Sequence, residues 1–80
     1  MATVHAVRVP FHIHSTDGEI SGYAVGESLE AYSVFEVRLK TGEIFNIEAI
    51  PSAKGFFWFS FEAPSITPII GRSIETWFKN

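Results

Sequence analysis

Apolar and polar residues alternate along the start of the chain. Val7, Val9, Phe11 and Ile13 share one parity, and Arg8, Pro10, His12 and His14 share the other. The alternation predicts a half-buried strand from Val4 to His14. Pro10 has no amide donor, so this strand lies at a sheet edge or carries a bulge. Ser15-Thr16-Asp17-Gly18 reads as a turn in which Ser15 and Asp17 hydrogen-bond the local amides. Glu19 to Val25 returns as a second strand. Pairing Ile13 with Ile20 sets Phe11 opposite Gly22 and Val9 opposite Ala24, small residues that leave room for a large neighbour.

The spacing around Gly42 fixes a hairpin. Placing Leu39 opposite Glu43 pairs Val37 with Phe45 and Phe35 with Ile47, so apolar residues meet across the strands. This register needs a three-residue loop whose last member has positive φ, and Gly42 meets that need. A two-residue loop would instead bury Asn46 and Glu48 against Val37 and Phe35. Residues 26–32 carry no clear period: Leu29 and Tyr32 fit one helical turn or a continued strand. Pro51 to Gly55 breaks the pattern, and Phe56 to Phe61 reads as a fifth strand.

The period then changes. Thr67-Pro68 has the form of an N-cap followed by proline at the first helical position. Ile70, Ile74, Trp77 and Phe78 form one apolar stripe, with Arg72, Glu75 and Lys79 opposite and Glu75 spaced for an i,i+4 contact with Lys79. Gly71 costs about 1 kcal/mol against alanine inside a helix, a cost that close approach to a strand would explain. The fold expected is α+β: one domain over residues 1–80, a five-stranded antiparallel meander, twisted or curled into a half-open barrel, with a C-terminal helix on its apolar face.

Parity sorts the strands into two faces. Phe35, Val37, Leu39, Phe45, Ile47, Phe57, Phe59 and Phe61 join the apolar residues of the first strand as the expected core. The second face carries Tyr23, Ile44, Phe56 and Trp58, rimmed by Arg38 and other charged groups. Such a face suits an interface or a shallow ligand site, or a sheet that curls on itself with Trp58 in the bend.

Composition narrows the function. Eighty residues that are 46% hydrophobic, without cysteine, must hold together by packing alone. A net charge of −3 with no basic block argues against nucleic acid as partner. No apolar run approaches a membrane span, and the N-terminus lacks the order of a secretory signal, so a cytoplasmic protein is expected.

Candidate chemistry is sparse. His12 and His14 lie on one face of one strand, about 6–7 Å apart by the strand rise. Completed by Glu36 or Glu48, they would bind a metal, or they are two solvated imidazoles. His5 has the opposite parity unless Pro10 marks a bulge. Glu36, Arg38 and Glu48 fit ordinary cross-strand ion pairs better than acid–base catalysis. His14, Ser15 and Asp17 are too close along one turn to form a nucleophilic triad. The aromatics of strand five suit stacking on bases, yet their parity assigns them to the core.

Two resemblances add to this reading. Val37-Arg38-Leu39-Lys40-Thr41-Gly42-Glu43 resembles the Gly-centred turn of Sm-like and other SH3-type barrels, although in Sm-like proteins the helix precedes the strands. The stretch from Trp58 to Ile70-Gly71-Arg72-Ser73-Ile74-Glu75 resembles small uncharacterised bacterial proteins in which a meander ends in an aromatic strand and an Ile-Gly-x-x-Ile-Glu helix. Neither likeness implies an activity or a functional residue. The sequence therefore leads to a non-enzymatic interaction module without cofactor. Its expected partner is a second copy, forming a homodimer, or another protein, met through the second face or an edge strand. The alternative is a small-ligand or metal-binding protein built on His12 and His14.

Overall fold

The computed structural model describes residues 6–16 and 18–79. His5 and Asp17, and the start of the expected first strand, lie outside them. Five strands follow in order: β1 (Val7–Ser15), β2 (Gly18–Gly26), β3 (Val34–Leu39), β4 (Ile44–Ser52) and β5 (Gly55–Phe59), then helix α1 (Thr67–Lys79). They form one antiparallel sheet in sequence order, curled into a half-barrel, with α1 packed against β1, β4 and β5.

The first two hairpins take the registers that parity requires. Ile13 faces Ile20, Phe11 faces Gly22 and Val9 faces Ala24, and the ladder passes Pro10 without a bulge, so Pro10 sits on an edge strand. Val37 faces Phe45 and Phe35 faces Ile47. Gly42 has φ 104° and donates its amide to the Leu39 carbonyl, while the Leu39 amide donates to Glu43, each at 2.9 Å. Positive φ is open to glycine and strained for other residues, which is why the loop can close in three residues.

β5 corrects the sequence reading. β4 runs on through Pro51 to Ser52, which pairs with Gly55, so only Ala53 and Lys54 form the loop. A five-residue break over 51–55 would keep odd positions opposite odd ones. The two-residue loop sets Trp58 opposite Ala49 and Phe57 opposite Ile50. Trp58 therefore belongs to the core and is 4% exposed, whereas Phe57, Phe59 and Phe61 are 59%, 38% and 87% exposed.

The core lies between the concave face of the sheet and α1. Phe35 is fully buried at its centre, with edge-on contacts to Trp58 and Phe78 at 5.9 and 6.1 Å between ring centroids. The helix buries Thr67, Ile70, Gly71 and Ile74, with Phe78 partly buried. Trp77, expected in the stripe, falls at its margin and is 47% exposed. The stripe is turned toward Gly71 because Trp58 packs there: a β-carbon at position 71 would stand 2.1 Å from Trp58 Cγ.

Glu75 Oε2 accepts the Trp58 Nε1 hydrogen at 2.9 Å, and it makes no ion pair with Lys79 among the described residues. Thr67 does not cap by accepting; its hydroxyl donates to the Ala63 carbonyl at 2.6 Å. Ser60 instead accepts the amides of Glu62 and Ala63 at the start of the turn that leads into the helix. Residues 27–33 form an irregular connection that packs Leu29 on the core and places Tyr32 at φ 66°. No helix among the described residues is long and apolar enough to cross a membrane.

Candidate functional site

The five residues expected to share an interaction face are divided between the two sides of the sheet. Tyr23, Arg38 and Ile44 stand in one row across β2, β3 and β4 on the convex face. Ile44 is 57% exposed, and the Arg8 guanidinium lies 4.4 Å from the centre of the Tyr23 ring. Arg38 Nε donates to Glu36 Oε1 at 2.7 Å. This hydrogen bond and the carboxylate's charge hold the guanidinium above its ordinary value. Trp58 and Phe56 lie on the concave side. Trp58 is buried, and Phe56 lines an open groove of about 770 Å³ with Leu29, Phe78 and the basic groups of Lys54, Arg72 and Lys79.

The convex face instead presents an aromatic ladder on β5. Phe57 and Phe59 alternate outward with the pleat, and Phe61 continues past the strand end, its ring 4.8 Å from that of Phe59 and edge-on to it. Val34, two strands away and 53% exposed, lines one shallow groove with Phe59 and Phe61. At about 200 Å² of surface per phenylalanine, the three rings leave a few hundred Å² of aromatic surface in water, near the largest patches that monomers carry. Sequence reasoning missed this ladder because every residue from Phe56 to Phe59 is aromatic, which leaves parity without contrast. The signal was the loop length after β4.

The two sheet edges differ. β1 carries Pro10 and the polar side chains of Arg8, His12 and His14. β5 pairs with β4 alone and contains neither proline nor a charged residue from Gly55 to Phe59. Charges, prolines and bulges are the usual devices that keep an edge from pairing with another chain, and β5 has none of them.

The imidazoles of His12 and His14 come together at the free end of the β1–β2 hairpin, with ring centroids 4.9 Å apart. Glu36 and Glu48 do not join them. Glu36 is engaged by Arg38, and Glu48 faces Val34 on one side and Phe59 on the other. The carboxylate that reaches the histidines is Glu19, directly opposite His14 in the ladder. Its oxygens lie 3.3 Å from His12 Nε2 and 3.1 Å from His14 Nδ1. The pairing of Ile13 with Ile20 already implied this position. No protein-family model matches the chain, and neither a curated protein nor a solved structure is similar to it at a significant level.

Proposed function

We propose that this chain is a non-enzymatic interaction module that associates with a second copy of itself through the β5 edge and its outward phenylalanines. The observation that carries this reading is an edge strand without charge or proline that bears Phe57 and Phe59 outward, with Phe61 beside them. Antiparallel pairing of β5 with its symmetry mate would satisfy the free backbone groups of both strands. It would also bring the two aromatic ladders side by side, giving an isologous contact of the kind most soluble dimers use. The ladder supplies the apolar centre, and Glu48 and Glu62, which line the groove beside Phe59 and Phe61, supply a polar rim.

Sedimentation velocity between about 1 and 200 µM tests the proposal, with wild type compared with Phe57→Glu. The expected result is a concentration-dependent dimer that the variant abolishes while keeping its circular dichroism spectrum. A wild type that stays monomeric throughout overturns it, and so does a dimer that Phe57→Glu leaves intact.

A further inference from the structure

We infer that His12, His14 and Glu19 form a binding site for a borderline divalent transition cation, Zn²⁺ being the type case, at the tip of the β1–β2 hairpin. The site is separate from the β5 edge and does not depend on self-association. One ligand atom from each residue lies within 4.8 Å of the other two. Imidazole and carboxylate are the ligand types such cations take, and bonds of about 2.0–2.1 Å around a tetrahedral centre set ligand–ligand edges of about 3.3 Å. Each imidazole stands against its own carboxylate oxygen, His12 Nε2 at 3.3 Å from Oε2 and His14 Nδ1 at 3.1 Å from Oε1, so small side-chain rotations bring one nitrogen of each ring and one oxygen to that spacing.

The backbone supplies the preorganisation. His12 and His14 are two residues apart on one strand, so the pleat turns both imidazoles to the same face. Glu19 reaches across from the paired strand, where the register fixes it beside His14 and diagonal to His12. None of the three is tied to a lysine or arginine among the described residues; Glu19 is held by the imidazoles alone. A cation would sit between the two ring nitrogens and the carboxylate that now face one another. Three protein ligands leave further coordination positions open to water or to a group from outside. The mixed nitrogen and oxygen set disfavours Mg²⁺, which takes oxygen ligands. A bound ion would also cross-link β1 to β2 beyond the point where β3 supports them.

Isothermal titration of the untagged chain with ZnCl₂ tests the site, with thermal melting as a second readout. The expected result is one Zn²⁺ per chain with micromolar affinity. His12→Ala and His14→Ala each weaken it at least tenfold, and Glu19→Gln weakens it severalfold. A saturating excess of Zn²⁺ raises the melting temperature by about 5 °C or more, and Mg²⁺ does not. All three residues are exposed, so the variants fold, as their unchanged melting without metal will verify. Affinity weaker than millimolar overturns the assignment, as does binding that the histidine variants leave unchanged. Affinity indifferent to Glu19→Gln overturns the three-ligand site.

Discussion

The indole of Trp58 packs so closely on Gly71 that the helix has no room for a side chain there; the nearest ring atoms would stand 2.1 and 2.2 Å from an added β-carbon. The same indole donates to Glu75 one turn further along α1. One residue of β5 thus sets the height, the rotation and the axial position of the helix. Gly71→Ala will therefore destabilise the domain by about 2–3 kcal/mol, although alanine is the better helix former by about 1 kcal/mol. Urea denaturation measures the difference, and a neutral or stabilising result would contradict the packing.

Neighbouring residues of β5 will respond in opposite ways to truncation. Trp58→Ala removes a core side chain and will cost about 3–5 kcal/mol. Phe57→Ser changes a residue that is 59% exposed and will stay within about 0.5–1 kcal/mol of wild type, measured at concentrations where the chain is monomeric. Equal losses would mean that the two faces of the strand are not distinguished.

Tyr32 holds φ 66° while 63% exposed, a left-handed conformation that is costly for an aromatic residue. Tyr32→Gly will raise stability by about 0.5–1 kcal/mol, relief of the strain outweighing the greater freedom glycine gives the unfolded chain. Chemical denaturation of the two proteins side by side decides it.

The association proposed for β5 rests on apolar surface rather than on charge. Raising NaCl from about 0.05 to 0.5 M, which shortens the screening length severalfold, will leave the dimer constant within about threefold. Sodium sulfate at moderate concentration will tighten it, because excluded salts favour burial. A dimer that dissociates in NaCl would place the contact elsewhere.

Much of this architecture was legible in the sequence, and the part that was not has a definite physical reason. The hairpins of β1–β2 and β3–β4 were readable because alternation is clean there and the turn residues at Gly18 and Gly42 agree with it. β5 was not, since Phe56, Phe57, Trp58 and Phe59 offer no polar position to mark the outward face. Sidedness then rested on loop length alone, and Pro51 conceals the fact that β4 continues to Ser52. Gly71 marked the close approach of the helix to a strand, but not that Trp58 is the side chain that makes it. The acidic partner of the histidines was missed for a simpler reason: same-face carboxylates were sought two and three strands away, at Glu36 and Glu48, when the facing position on the adjacent strand was Glu19.

Pro10 bears on how far assembly can proceed. Fibrous growth by strand addition requires two adhesive ends, so that each newcomer offers a fresh edge to the next. Here the far border of the sheet, at β1, carries a proline within its register and cannot present an unbroken row of donors. In the proposed pairing, two copies joined at β5 would each have spent the border that lacks a proline, and growth would end at a pair.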